Sequence, residues 1–147
     1  DKTSRILDVK YFILLPDVKK VGSPLDLVQW TSVLKSASAY NMYRQQYRDI
    51  MPAHIAEFLI LDRKFPRSVL FSLRMAENSL RAIFGTPVGS FSNEAEKKLG
   101  IMRSDLEFMD INDIMKVGLH EFLDEIQFKC NEISSEIHET FFAIKPV

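Results

Sequence analysis

A single cysteine, Cys130, is all that this sequence of 147 residues offers to thiol chemistry. No internal disulfide can form, and no Cys/His spacing suits zinc. Charge of one sign is equally scarce: 19 basic residues against 20 acidic ones leave a net charge of −1. A general affinity for nucleic acid or anionic lipid is therefore not expected, and an electrostatic partner would have to engage one local face. The longest apolar runs, Tyr11–Leu15 and Phe58–Leu61, are far too short to cross a bilayer. With no signal peptide at the start, a cytoplasmic protein is expected. There is no initiator Met either, and Asp1 to Leu15 already reads as the middle of a helix. That points to part of a longer chain.

Strand alternation bounded by hairpin turns is also missing. The apolar residues recur at helical spacing instead, and the expected fold is all-α: an antiparallel bundle of about six to seven helices, one domain over residues 1–147. A first helix should end near Pro16, ahead of a lysine-bearing loop at 17–22. Ser23-Pro24-Leu25-Asp26 starts a second helix, which carries Leu27, Trp30, Leu34 and Ala37. Tyr40 to Ile50 interleaves Tyr40, Tyr43 and Tyr47 with Arg44 and Arg48, and Pro52 opens a fourth helix with Ile55, Ala56 and Leu59.

The central stretch runs from Glu57 to Phe84. Phe65-Pro66 restarts the helix after Asp62-Arg63-Lys64, since Pro suits a first turn. Val69, Leu70, Leu73, Ala76, Leu80, Ile83 and Phe84 then form an apolar back, with Phe58, Leu59, Leu73 and Leu80 expected in the core and Trp30 nearby. Arg67, Arg74, Asn78 and Arg81 fall on the opposite face. That front is either a solvated face with Glu77 pairing Arg81, or a stripe that binds anions or a partner. The loop Gly85-Thr86-Pro87-Val88-Gly89 is a connector, without the lysine of a phosphate-binding loop. A sixth helix starts at Ser90 or Ser92, with Ala95, Leu99, Met102, Leu106 and Met109 inward and Gly100 allowing close approach of a neighbour. Asp110 and Asp113 cap one last helix, from Ile111 to about Phe142, with Ile111, Met115, Leu119, Phe122, Ile126, Ile133, Ile137 and Phe141 on its core face.

Few side chains suggest chemistry. No Glu-x-x-His pair of a di-iron bundle occurs, and the position that would complete a zincin motif after His120-Glu121 is Asp124. His120 and Asp124 share a helix face, so the acid could orient the ring. Ser68 reads as a cap and Cys130 as a small inert hydrophobe. No metal or cofactor site is expected, and catalytic residues are not legible.

Four blocks carry a resemblance: Thr3 to Tyr11 with Leu14-Leu15-Pro16; Trp30, Ala39-Tyr40, Tyr43-Arg44 and Tyr47; Glu57-Phe58-Leu59 through Asp62 to Phe65-Pro66-Arg67-Ser68-Val69; and Gly118 to Asp124 with Glu139 to Phe142. In that order they are similar to the bacterial alpha-E domain family, and the chain resembles its second half. The resemblance places the family's Glu-Arg motif just before Asp1. It implies an accessory of circularly permuted ATP-grasp proteins and transglutaminase-like proteins, in peptide-bond synthesis or peptide modification. On this reading the chain is a helical interaction module, with Arg44, Arg67, Arg74, Arg81 and His120 as candidate contacts. The alternative is an enzyme component completed by the other half, with Arg44, Glu57, Arg67 and His120 converging in one cleft. Self-association through an exposed apolar patch is a further expectation.

Overall fold

Eight helices build the described part of the chain in the computed structural model, which covers residues 2–14 and 24–142. The loop at 17–22, the Ser23 cap and the side chains expected along the first helix beyond Asp8 lie outside what is described. The all-α architecture is as expected. The interior element is α4, Pro52–Leu61, opened by Pro after the extended Met51. Ile55, Ala56, Phe58, Leu59 and Ile60 are all buried, as befits a helix apolar on most sides. Around it pack α1 (Lys2–Leu14), α2 (Pro24–Ser36), α5 (Val69–Phe84) and α7 (Ile111–Val117). Outside these, α6 (Glu94–Glu107) lies on α5 and α8, while α8 (Leu119–Phe142) also covers α1.

The short α3, Tyr40–Gln46, follows a turn at Ser38, whose φ of 55° is the one positive value for a non-glycine among the described residues. Tyr43 is fully buried, stacked on Tyr47 at 4.8 Å and edge-on to Phe58 at 5.7 Å. Its hydroxyl donates to the Asp49 carbonyl at 2.6 Å. Burial, followed by the charges of Glu57 and Asp62, pushes the Tyr47 phenol up to about 12. These rings are core material.

Between α4 and α5 the chain turns a corner that local chemistry fixes. The Asp62 carboxylate accepts from the backbone N–H of Lys64 at 3.0 Å and Phe65 at 2.7 Å. Ser68 donates its hydroxyl to the Asp62 carbonyl and accepts from Phe71 N–H at 3.1 Å. It is therefore the N-cap of α5, which begins at Val69, not at Pro66. Phe65 fills the inside of the corner, stacked on Phe58 at 4.9 Å. The Thr3 hydroxyl of α1 donates to the Arg67 carbonyl at 2.7 Å and ties the corner to the first helix.

The buried arc of α5 comprises Val69, Leu70, Leu73, Leu80 and an acid, Glu77. At roughly 100° per residue that arc is turned toward Glu77 and away from Ala76 and Ile83. Ala76, Ile83 and Phe84 are exposed, against expectation. The physical reason is Arg103 of α6, which meets Glu77 and lets its side of the helix be covered.

Helix α6 starts at Glu94, later than Ser90 or Ser92, because Asn93 accepts from Glu96 N–H at 2.9 Å. The buried Glu96 carboxylate takes Ser92 N–H and the Thr86 hydroxyl, closing the 85–92 connector onto the helix. A methyl group on Gly100 would meet Glu77 Oε1 at 3.7 Å, an ordinary contact, so helix approach does not demand glycine there. The expected final helix is two. Asp110 and Asp113 form the anticipated capping box of α7, but Gly118 adopts φ 104° and stops it. Phe122 N–H then bonds to the Gly118 carbonyl as α8 begins. This break leaves Met115 exposed, while Leu119, Phe122, Ile126 and Ile133 face inward. The last turns of α8 stand largely in solvent, and Phe141 touches Phe84 at 5.2 Å. No described helix is long and apolar enough to cross a membrane.

Trp30, Phe58, Leu59, Leu73 and Leu80 are all in the core, as the sequence predicts. Leu73→Ala should cost about 2–5 kcal/mol in chemical denaturation, the range for a buried leucine that leaves a cavity. A loss below about 1 kcal/mol would contradict this packing.

Candidate functional site

The arginines expected in one stripe have three different surroundings. Arg67 sits on the corner ahead of α5, exposed, and donates from Nη1 to the Ser38 hydroxyl at 2.7 Å. Among the described residues no carboxylate lies within salt-bridge distance of it. Its guanidinium is thus held by a neutral group. Arg74 is exposed one turn into α5, and its field reaches Glu107 of α6. Arg81 turns inward and meets Glu77 at 2.8 Å, the i,i+4 pair the spacing predicts.

Glu77 is the centre of a charged network. Arg103 donates from Nε to one carboxylate oxygen at 2.6 Å and from Nη1 to Glu107 at 2.6 Å, and Arg63 reaches Glu107 at 3.2 Å. A carboxylate only 5% exposed is tolerable when two guanidinium groups meet it. The Arg103 hydrogen bond, then the charges of Arg103, Arg63 and Arg74, hold the Glu107 carboxyl below its ordinary range. Arg81 Nε, buried, has no hydrogen-bond partner. Arg81 and Arg103 line a broad open cleft of about 400 Å³ with Lys97, Phe91 and Asp105. Arg44, Arg67, Arg74 and His120 do not line it.

His120 is oriented by Asp8 of α1, at 2.8 Å from Nδ1, rather than by Asp124. Asp124 is on its own helix one turn on, but it is exposed and adds only a distant field. The Asp8 hydrogen bond is the main cause that raises the imidazole above its usual 6.5. A half-buried His–Asp pair of this kind can fix a ring and hold a proton. Arg44 donates to the Arg48 carbonyl at the end of α3. The hydrogen bonds of Arg44, Arg67 and His120 thus go to three different partners, Arg48, Ser38 and Asp8. Cys130 is half-buried, and burial pushes its thiol up, as suits an inert residue. Among the described residues, no group of three or more His, Cys, Asp or Glu is placed to hold a metal.

Sequence reasoning missed Glu77 as a buried hub, together with Arg103 and Asp8. The Glu77–Arg81 spacing signalled a pair; nothing local signalled the partners from α6 and α1.

The class defined by this geometry is an all-helical domain. A family model described as "a predicted alpha-helical domain with a conserved ER motif", Alpha-E, matches residues 1–142, and the chain belongs to that family. No Glu-Arg dipeptide occurs in the 147 residues. No curated protein sequence and no solved structure matches the chain.

Three outcomes follow from these contacts. Glu77→Gln should cost about 3 kcal/mol, the low end for breaking a buried ion pair, because Arg81 and Arg103 keep some solvent access. Arg63→Gln, at a side chain 58% exposed, should cost less than about 1 kcal/mol by the same denaturation assay. For His120, the folded pKa is raised, so the Asp8 contact stabilises fully below the unfolded value and is lost as pH rises through the folded one. Between about pH 6 and pH 9 the wild type should therefore lose stability that a His120→Gln variant does not lose. Equal slopes for the two proteins would show that the pair contributes nothing.

Proposed function

We propose that this domain is a helical interaction module that docks a carboxylate-bearing or acidic partner on its Arg67 face, with Arg74 at the edge of the same surface. The supporting observation is the state of Arg67. It is exposed, positioned by Ser38 Oγ at 2.7 Å, and uncompensated by any carboxylate among the described residues. Ser38 itself holds a left-handed backbone conformation unusual for a non-glycine. A fixed guanidinium loses little freedom on binding and offers a fork matched to carboxylates.

The resemblance drawn from the sequence supplies the partners in this reading: a circularly permuted ATP-grasp protein and a transglutaminase-like protein, in cytoplasmic peptide synthesis or modification. The domain would present or dock, leaving chemistry to the partner. A second reading rests on the His120–Asp8 pair, a fixed imidazole of the kind used in proton transfer. There the domain is an enzyme component whose site is completed by a further half of the protein. ATP turnover by the ATP-grasp partner separates the two: the second reading requires His120→Gln to abolish it with binding intact.

Exposed ion pairs contribute about 0.2–1 kcal/mol each. Arg67→Gln with Arg74→Gln should therefore leave the melting temperature nearly unchanged and weaken capture of the ATP-grasp protein about two- to thirtyfold. The loss should shrink in about 1 M salt, where the Debye length falls to about 3 Å. Unfolding of the double variant would make these arginines structural. Unchanged stability and binding would leave the face merely solvated.

A further inference from the structure

The surface between α6 and α8 has the opposite character to the Arg67 face. The two helices run antiparallel there, with Lys98 bonded to Glu136 at 2.8 Å at one end and Phe108 standing 84% exposed at the other. Two clefts, of about 290 and 170 Å³, follow each other along this line and share Met102 and Lys129. They form one groove. Its floor is apolar, from Leu106, Phe122 and Ile126 at one end to Met102 and Ile133 at the other. Ile101, 53% exposed, and Phe108 extend the apolar surface onto the lip. From Lys98 to Phe108 at about 1.5 Å per residue, the groove is about 15 Å long, or three helical turns.

Charge along the rim selects among occupants. Asp105, Glu125, Glu132 and Glu136 stand against Lys98 and Lys129. Lys98 is engaged by Glu136, and Lys129 by Glu125 at 3.0 Å. Asp105 and Glu132 make no ion pair among the described residues, so the rim carries an excess of negative charge. The walls decide the backbone of the occupant. Helices α6 and α8 have their interior N–H and C=O groups bonded within themselves and present no row of partners to an extended peptide. A segment lying here must satisfy its own backbone, as a helix does. Methionine on the floor adapts to the side chains that a helix brings.

We infer that the α6–α8 groove is a docking site for an amphipathic helix of a partner protein, apolar on one face and lined with lysine or arginine along the edges of that face. The apolar stripe covers Met102, Ile126 and Phe108, while the flanking bases meet Asp105 on one side and Glu132 on the other. This surface is separate from the Arg67 face and stands whether or not that face docks an acidic partner.

The test uses the full chain and two labelled model peptides of about fourteen residues, some four turns, one of leucine and lysine and one of leucine and glutamate, each patterned for a single apolar face. Fluorescence anisotropy should give saturable one-to-one binding of the lysine peptide, and binding of the glutamate peptide at least about tenfold weaker. Ile101→Ser with Phe108→Ser, both at exposed positions, should weaken the lysine peptide about tenfold or more with unchanged circular dichroism. Asp105→Lys with Glu132→Lys should invert the preference between the peptides. Ile83→Ser, at an exposed apolar residue elsewhere, should change nothing. Equal binding of both peptides overturns the inference, as does full binding by the groove variant or an equal loss in Ile83→Ser. Self-association that Phe108→Ser abolishes would assign the groove to a second copy and likewise overturn it.

Discussion

The hydrogen bonds around Ser68 are the constraint on which most of the structure turns. One hydroxyl donates to the carbonyl that ends α4 and accepts from the N–H that starts α5. With the Asp62 carboxylate on the intervening N–H groups, it sets the angle between two helices that pack on each other. Helix α5, started at this corner, then packs on α6, where Glu77 meets Arg103. Phe65 and Phe58 fill the inside of the bend. Thr3 attaches α1 to the same point from the far end of the sequence. The Phe-Pro-Arg-Ser run, one of the blocks that carry the resemblance in sequence, is, in three dimensions, a joint.

Charge follows from that geometry. Three arginines on one helical face would be equivalent on an isolated helix, but the bundle separates them. Arg81 lies where α6 covers α5, so it shares a buried carboxylate and is part of the fold. Arg74 stands at the margin of that network. Arg67, on the corner, is out of reach of these acids and is held by a serine. A guanidinium that is fixed but not neutralised is suited to recognition, whereas one locked to a buried acid is suited to holding helices together.

The two candidate surfaces differ in kind. The corner offers positive charge on a rigid support; the α6–α8 groove offers apolar floor with a negative rim. The first lies on the turn between α4 and α5, the second between two helices that pack on each other.

Helix type, the order of the elements and much of the core were legible in the sequence, because apolar periodicity and caps act over a few residues. Pro52 at the start of α4, the Asp110–Asp113 box and the burial of Leu73 and Leu80 are all of this local kind. Gly118 was harder, since a single glycine inside a helical pattern is often tolerated; here the chain takes φ 104° and one expected helix becomes two. The placement of charge was decided by tertiary structure. Glu77 looks like a surface acid until Arg103, 26 residues on, covers it, and His120 finds Asp8 across 112 residues in preference to the nearer Asp124. Burial and pairing of polar groups depend on which helices come together, and that is settled by the summed packing of the bundle, so no local pattern encodes it.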